Sequence, residues 1–168
     1  GGIPLIAPLT QSLAGEEILE ICGILNGTTN YILTKMDWEG QDFETALKKA
    51  QELGYAERNP EADVEGYDTC RKIAILTALA TEREVNFEEV YTEGITRITD
   101  TDFQYAARLK TSIRLLGVSR MDGERVSVFV CPVMVQADHP LYAVSDVYNG
   151  VVVRGRTVGT IMFYGRGA

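Results

Sequence analysis

The sequence predicts an α+β domain in which a mixed, largely antiparallel sheet carries helices packed on one face. Up to about Ala80 the apolar residues recur mostly at helical spacing, whereas after Asn86 they form short runs separated by turn residues, which is typical of strands. The last of these runs are apolar on both faces. A sheet of this kind needs cover on both sides, and we expect helices on one side and a second subunit on the other.

The first half of the chain is predicted to contain four helices and one strand. A helix is expected over residues 3–13, with Pro4 in its first turn, where a missing N–H is tolerated. Residues 18–25 form an apolar run typical of a strand. Three further helices are predicted over residues 28–36, 43–53 and 65–80, and Asp63 is a candidate N-cap for the last of them.

The second half is predicted to contain one helix followed by four strands. The helix covers residues 99–107. Leu109, Ile113 and Leu115 then alternate with polar residues, as in a half-buried strand. A turn over residues 121–124 leads to three further strands, which we predict over residues 126–135, 149–153 and 158–164.

Length and composition limit the class of protein. A chain of 168 residues buries roughly 68–70% of its unfolded surface and needs no disulfide or metal to fold. The composition is 45% hydrophobic and 24% charged, and no apolar run reaches the ~18–20 residues of a membrane span. The net charge of −8 argues against nucleic acid or an anionic membrane as the main partner, because both attract clustered Lys and Arg.

The cysteines and the single histidine predict no reactive or metal site. Cys22, Cys70 and Cys131 lie among apolar neighbours and form no CxxC pair, which indicates reduced, buried thiols and a cytoplasmic protein. His139 precedes Pro140 in a loop-like stretch, where we expect a capping or solvated role rather than catalysis. One histidine and no cysteine pair also argue against zinc.

The helix predicted over residues 65–80 carries the first candidate for chemistry. Asp68 and Lys72 are spaced i,i+4 and therefore share one face. The same stripe continues as Leu76 and Leu79, which places the charged pair at the rim of the core. One interpretation is an ion pair that contributes ~0.3–0.5 kcal/mol. The other is a lysine and a carboxylate that are tuned by partial burial for general acid/base work.

Two further segments carry polar groups. Residues 26–30 (Asn-Gly-Thr-Thr-Asn) join a strand to a helix, where free N–H groups can face an anion or a carbonyl, although a plain turn with an N-cap is the alternative. Residues 54–63 are dense in carboxylates. Glu57, Asp63 and Asp68 together would suit an ammonium group, and the alternative is simply an acidic loop.

These segments together resemble homoserine dehydrogenase. The resemblance rests on residues 23–33 (GILNGTTNYIL), 54–57 (GYAE) and 63–72 (DVEGYDTCRK). Shorter matching segments are GGIP at residues 1–4, HPL at residues 139–141, NGVVV at residues 149–153 and FYG at residues 163–165. The matches run from one end of the chain to the other, so chance similarity does not account for them.

The resemblance implies a fold, an activity and an assembly. The fold is of the GAPDH-like C-terminal (substrate) domain type, and the activity is the NAD(P)-dependent interconversion of L-homoserine and L-aspartate 4-semialdehyde, on the route to threonine and methionine. The family carries an N-terminal dinucleotide-binding domain, and this chain has no glycine-rich dinucleotide turn. Residues 1–168 are therefore expected to be an excised catalytic and dimerisation region, inactive alone, that forms a homodimer through its C-terminal sheet.

The resemblance also assigns roles to residues. Lys72 is implied as the acid/base, and Asp68 as the residue that orients it. Glu57 with Asp63 is implied to bind the amino group or polar end of the substrate. The remaining implied contacts are Thr28 and Gly27 at the junction of substrate and nicotinamide, and a sodium ion held by backbone carbonyls from Gly1 to Ile3.

Two other classes of protein remain as alternatives. The chain could be a non-catalytic dimerisation module, but the complete set of Glu57, Asp63, Asp68 and Lys72 argues against a degenerate copy. It could also be the substrate domain of another amino-semialdehyde oxidoreductase, which the segment at residues 26–31 (NGTTNY) argues against. The choice between NAD and NADP depends on the dinucleotide-binding domain and cannot be predicted from these residues.

Overall fold

The computed structural model describes residues 2–167. The α-helices are α1 (Gly27–Glu39), α2 (Phe43–Glu52), α3 (Glu61–Val64), α4 (Tyr67–Thr81) and α5 (Asp100–Arg108). The strands are β1 (Ile18–Ile24), β2 (Tyr91–Thr92), β3 (Thr111–Asp122), β4 (Arg125–Gln136), β5 (Tyr148–Gly155) and β6 (Gly159–Arg166). A π-helical turn over Pro8–Ser12 and a 3-10 turn over Phe87–Glu89 complete the described elements.

The six strands form one sheet in the order β2-β4-β3-β1-β5-β6. All neighbouring strands run antiparallel except the short β2, which pairs in parallel with β4. The predicted mixed, largely antiparallel sheet is therefore confirmed. β1 lies in the middle of the sheet, between β3 and β5, so the residues that follow it emerge at the centre of one sheet end.

Helices cover one face of this sheet, as predicted. α4 packs across β1, β3 and β4, while α1 packs on β3 and β5 and α5 packs on β3. The main core forms between the two layers, and Ile21 of β1 and Ile73 of α4 are fully buried in it. This packing brings the first turn of α4 next to the residues that follow β1.

The opposite face of the sheet carries a second apolar cluster. It includes Cys22, Val118 and Val152, and the connection between β4 and β5 covers it with the buried side chains of Leu141 and Val144. This cover is incomplete, because a cavity of about 540 Å³ remains open on this face beside β3 and β4. The half-buried hydrophobic residues at its wall are Phe129 and Val133.

The helix predicted over residues 3–13 is wrong in its start and its type. Helical structure begins only at Ile6, and Pro8–Ser12 is a π-helix in which the Leu13 N–H donates to the Pro8 carbonyl at 2.9 Å. A helix that began at residue 3 would have placed Pro8 in its interior, where the missing N–H removes a hydrogen bond. With the later start Pro8 lies in the first turn, where no N–H is required.

The N-cap predicted at Asp63 is also wrong. Asp63 lies inside the single turn of α3, and α4 begins only at Tyr67. Gly66 separates the two helices because it adopts a left-handed φ of 84°, which glycine tolerates without strain. The Asp63 carboxylate therefore caps no helix, and it accepts a hydrogen bond from Asn26, two residues after the end of β1.

The second half largely follows the prediction, with longer strands. β3 starts at Thr111, so Leu109 is not part of it. Leu109 is the C-cap of α5 and is 65% exposed. The two-residue strand β2 was not predicted. Among residues 2–167 no helix is long and apolar enough to cross a membrane.

Candidate active site

The site is built where β1 ends and α1 begins. Asn26 follows β1 in an extended conformation and caps α1, because its Oδ1 accepts the Thr29 N–H at 2.9 Å. The Thr29 hydroxyl donates to the same oxygen at 2.9 Å. An asparagine in this position satisfies N–H groups that the first turn of a helix leaves free. The predicted turn with an N-cap is therefore present.

Asp68 and Lys72 form an ion pair in the first two turns of α4. The Lys72 Nζ donates to Asp68 Oδ2 at 2.7 Å and to the carbonyl of Leu25 at 3.0 Å. The side chains of Lys72 and Asp68 are 42% and 30% exposed, so the pair lies at the rim of the core, as the sequence predicts. A ligand in solvent can reach both groups, while the bond to Leu25 fixes the lysine to the end of the sheet.

Asn26 connects the carboxylates of α3 and α4. Its Nδ2 donates to Asp63 Oδ1 at 2.8 Å and to Asp68 Oδ2 at 2.8 Å. Two residues of the predicted acidic cluster, Asp63 and Asp68, are thus brought together, and Lys72 is joined to them through Asp68. Asn26 itself is buried, with 6% of its surface exposed.

Glu57 is not joined to this cluster by any hydrogen bond among residues 2–167. It is exposed in the loop between α2 and α3, where its backbone carbonyl accepts from the Gln51 side chain at 3.0 Å. The loop is anchored nearby, because the rings of Tyr31 and Tyr55 lie 5.1 Å apart and Ala56 is buried. The carboxylate of Glu57 therefore remains free to bind a ligand.

Thr28 and Gly27 form the first turn of α1. The Thr28 hydroxyl donates to the Tyr55 carbonyl at 2.6 Å and so holds the acidic loop against the helix start. Gly27 packs so closely on the loop before β5 that an added Cβ would lie 2.9 Å from the Val147 carbonyl oxygen. A larger residue there would push α1 away from that loop.

An apolar cavity of about 380 Å³ opens next to Lys72. Leu25, Leu76 and Val151 line its floor, and Asn149 contributes a buried side-chain oxygen that has no hydrogen-bond partner among the described residues. An unpartnered buried amide oxygen is uncommon and indicates a group that a ligand could satisfy. Lys72 thus lies between the acidic cluster of Asp63 and Asp68 on one side and the apolar cavity on the other.

The cysteines and His139 take no part in this site. All three cysteines are free, and Cys22 and Cys70 are buried as predicted, whereas Cys131 is only half-buried because the loop on the outer sheet face does not cover it fully. Burial raises the pKa of the Cys22 thiol to about 12. His139 has the predicted capping role, since its Nδ1 accepts the Leu141 N–H at 3.1 Å.

The expected cation site lies only partly in the described part of the chain. Gly1 lies outside the described residues, and Ile3 contributes at most a single backbone carbonyl. Residues 2–167 also contain no cluster of three or more histidine, cysteine or acidic side chains that could hold a metal ion. A single carbonyl does not make a cation site, because hard cations take about six oxygen ligands. The part of this site within residues 2–167 is incomplete, and the sodium ion stays a prediction.

Sequence reasoning missed two residues of this site. Asn26 looked like an ordinary cap, and the type of residue gave no sign that its amide would also bind two carboxylates from a segment about 40 positions away. Asn149 looked like the start of a strand. In both cases the signal was an asparagine at an element boundary, where its side chain can bind groups outside the element.

Comparison with known proteins shows the family. Residues 4–168 match the family model of homoserine dehydrogenase. The homoserine dehydrogenase of Mycobacterium leprae is 50% identical over 173 aligned residues, which cover all of this chain and 39% of that protein. The crystal structure of the Thiobacillus denitrificans homoserine dehydrogenase superposes with a TM-score of 0.96 at 40% identity, covering the whole chain and 39% of that structure.

A hyperthermophilic archaeal homoserine dehydrogenase mutant, solved in complex with NADPH, is 30% identical and gives a TM-score of 0.82. It is covered over 47% of its length and covers all of this chain. The fold, a largely antiparallel sheet with helices, is therefore one that homoserine dehydrogenases share over the whole of this chain. The chain belongs to the homoserine dehydrogenase family and spans about two fifths of the length of the curated relatives it matches.

Proposed function

We propose that this chain, residues 1–168, is the catalytic and dimerisation part of a homoserine dehydrogenase. The reaction would interconvert L-homoserine and L-aspartate 4-semialdehyde with NAD(P), as a step of amino-acid biosynthesis that leads to threonine and methionine. The observation that carries the proposal is the position of Lys72, whose amino group is bonded to Asp68 at 2.7 Å and lines the apolar cavity.

Lys72 is the group that moves the proton. In the reducing direction its ammonium group gives a proton to the carbonyl oxygen of the semialdehyde and becomes a neutral amine, and in reverse the amine takes the hydroxyl proton of homoserine. A positioned acid/base of this kind contributes roughly 10²–10⁴-fold. Asp68 orients Lys72 through Oδ2, and the Leu25 carbonyl holds the same nitrogen from the other side.

The acidic cluster of Asp63 and Asp68, together with Glu57, binds the amino-acid end of the substrate. Asp63 and Glu57 provide carboxylates suited to an ammonium group, and both have oxygens free for a ligand within residues 2–167. Thr28 lies in the first turn of α1, where its hydroxyl oxygen can still accept a hydrogen bond while its hydrogen is donated to the Tyr55 carbonyl. The substrate would then extend from the carboxylates towards Lys72.

The apolar cavity fits the nicotinamide end of NAD(P)H. Its apolar lining suits an aromatic ring such as nicotinamide. When bound, the nicotinamide supplies or accepts the hydride that no side chain can provide. Gly27 lies at the start of α1, where the absence of a side chain lets this turn pack directly against the loop before β5. The proposed steps involve no sodium ion.

The test is an assay of the full-length gene product with L-homoserine and either NAD⁺ or NADP⁺. We expect absorbance of the reduced nicotinamide to rise with L-homoserine and not with D-homoserine. The 168-residue chain alone should give no turnover, because no glycine-rich dinucleotide turn is present in it. Absence of turnover by the full-length protein with both cofactors would contradict the proposed activity.

The outer face of the sheet supports a homodimer. Phe129 and Val133 are half-buried there beside an open cavity of about 540 Å³, and an apolar patch that the fold leaves open is a candidate for association with a second copy. Light scattering of the full-length protein should give twice the mass of one chain. Val133→Asp should halve that mass, whereas Val158→Asp, at an exposed position in the β5–β6 turn, should not. A single-chain mass for the wild-type protein would contradict this assembly.

A further inference from the structure

The side chain of Asn26 is the most heavily bonded polar group of the site, and it is neither an acid nor a base. Its amide can make four hydrogen bonds, two as donor and two as acceptor. Nδ2 donates to Asp63 Oδ1 and Asp68 Oδ2, and Oδ1 accepts the Thr29 N–H. The Thr29 hydroxyl lies 2.9 Å from Oδ1 and 3.2 Å from the Asn26 carbonyl, so its one hydrogen is shared between these two acceptors. The amide has one possible orientation, because carboxylates only accept and the Thr29 N–H only donates.

Asn26 occupies one oxygen of each carboxylate and leaves the other one open. Asp63 Oδ1 and Asp68 Oδ2 are bound by the amide, and Lys72 shares the same oxygen of Asp68. Asp63 Oδ2 and Asp68 Oδ1 make no hydrogen bond within residues 2–167. The amide therefore sets the direction in which the two open oxygens face, and it does so without adding charge to the pocket.

The same side chain fixes the carboxylates to the start of α1. Asn26 is buried, it ends the extended segment after β1, and its oxygen caps the helix that carries Gly27 and Thr28. The neighbouring residue, Leu25, offers its carbonyl to Lys72 at 3.0 Å. One residue thus joins the β1–α1 junction to α3 and α4, which are separate segments of the chain.

We propose that Asn26 is a positioning residue of the reaction: its amide orients the Asp63 and Asp68 carboxylates for the substrate and holds them against the start of α1. This inference rests on the proposed function and names a further residue of the same site. Asn26 touches no reacting atom. It acts through Asp68, which orients Lys72, and through Asp63, which binds the substrate.

The test compares two variants in the full-length gene product. Asn26→Ser keeps a hydroxyl that can cap α1 but removes both N–H donors. Asn26→Asp keeps the shape and the cap, removes the donors and adds a negative charge next to Asp63 and Asp68. Asn86→Ser and Asn86→Asp are matched controls, because Asn86 also caps a helical turn and donates to a carboxylate, that of Glu89, at 3.2 Å, away from the site.

We expect Asn26→Ser to lower kcat/KM for L-homoserine by roughly 10²-fold, the size of effect that a displacement of about 1 Å has on a catalytic group. Asn26→Asp should lower it further. The charged groups in contact with Asn26 or its acceptors are Asp63, Asp68 and Lys72. A third carboxylate stabilises the ammonium form of Lys72, which must become a neutral amine to take the hydroxyl proton, so the acidic limb of the pH profile of kcat/KM should move up by about one pH unit in Asn26→Asp only.

The outcomes separate this inference from the function it rests on. If the wild-type protein does not oxidise L-homoserine, the proposed function itself is wrong. If the wild type is active and Asn26→Ser retains kcat/KM within threefold, or Asn26→Asp leaves the pH profile unchanged, only the positioning role is overturned. Thermal melts complete the test, because loss of folding in both Asn26 variants, with the Asn86 variants folded, would assign Asn26 to the fold alone and overturn the inference.

Discussion

Two cations of this protein, Lys72 and Arg114, both donate to backbone carbonyls, yet their surroundings differ. Lys72 lies at the end of the sheet with 42% of its side chain exposed, and one of its two partners is the carboxylate of Asp68. Arg114 lies on β3, is 2% exposed, and has no carboxylate in direct contact among residues 2–167. Burial lowers the pKa of the Arg114 guanidinium, while the charge of Asp37 acts in the opposite direction.

The neighbours of Arg114 show that it holds a loop in place. Its guanidinium donates to the carbonyls of Val144 at 2.8 Å and Tyr142 at 3.1 Å, and to the Ser112 hydroxyl at 2.7 Å. These carbonyls belong to the connection between β4 and β5 that covers the outer face of the sheet. All of its partners are fixed parts of the fold, so Arg114 has no position left for a ligand.

A structural cation and one that can react differ in whether their acceptors leave a position open for a ligand. A charge enclosed by fixed acceptors contributes to folding and specificity, and its removal leaves buried groups unpaired. A charge that is half exposed next to a carboxylate with an open oxygen can bind a ligand and exchange a proton with it. Sequence alone pairs Lys72 with a carboxylate and predicts Arg114 on the polar face of a half-buried strand. The second prediction is wrong, because β3 is buried on both faces around Arg114.

The largest effect is expected for Lys72→Ala in the full-length gene product. Loss of the acid/base should lower kcat by roughly 10²–10⁴-fold, with kcat/KM falling in parallel because the interaction is made in the transition state. Steady-state kinetics with L-homoserine measure this. The matched control is Lys35→Ala, because Lys35 forms the same i,i+4 ion pair with Glu39 at 2.7 Å on α1.

Lys35→Ala should keep kcat within threefold of wild type and cost under ~1 kcal/mol of stability, as the loss of an i,i+4 ion pair on a helix does. A Lys72→Ala protein that behaves like the Lys35→Ala protein would mean that the Asp68–Lys72 pair is only an ion pair.

Arg114→Met should act on stability instead. Removing the guanidinium leaves the Tyr142 carbonyl and the Ser112 hydroxyl without this donor and the Val144 carbonyl with only the Asn30 amide at 3.3 Å, so the free energy of unfolding should fall by about 1–3 kcal/mol. Arg120→Met is the control, because Arg120 lies on the same strand, is 64% exposed and pairs with Glu20 on the surface. Urea unfolding of the full-length variants measures the difference, and equal midpoints for the two variants would count against the assigned role of Arg114.

Glu57→Ala is expected to have a smaller effect, confined to binding. Losing one charge-assisted contact to the ammonium group corresponds to about 1.5 kcal/mol, or roughly a tenfold higher KM for L-homoserine. kcat should stay within threefold, since Glu57 makes no hydrogen bond to the Lys72 cluster. Glu61→Ala, at the exposed start of α3, serves as the control. A fall in kcat with unchanged KM would contradict a binding role for Glu57.

The layers of the fold and the rim position of Asp68 and Lys72 were predictable, because hydrophobic periodicity determines which face of an element is buried. The start of α4 was not predictable, because the left-handed backbone of Gly66 divides a stretch that the sequence predicts as one helix. The joining of Asp63 to Asp68 depends on Asn26 and on how α3 packs at the end of the sheet. Periodicity carries no information about such contacts between distant segments.

The proposal that Asp68 and Lys72 act as one unit is tested most directly by a double-mutant cycle on these two residues in the full-length gene product. If Asp68 acts by orienting Lys72, Asp68→Ala and Lys72→Ala remove the same function, and the double variant should lose little more kcat than Lys72→Ala alone. Independent roles predict that the two losses multiply. A double variant close to the Lys72→Ala value supports the Asp68–Lys72 unit, and a fully multiplicative loss contradicts it.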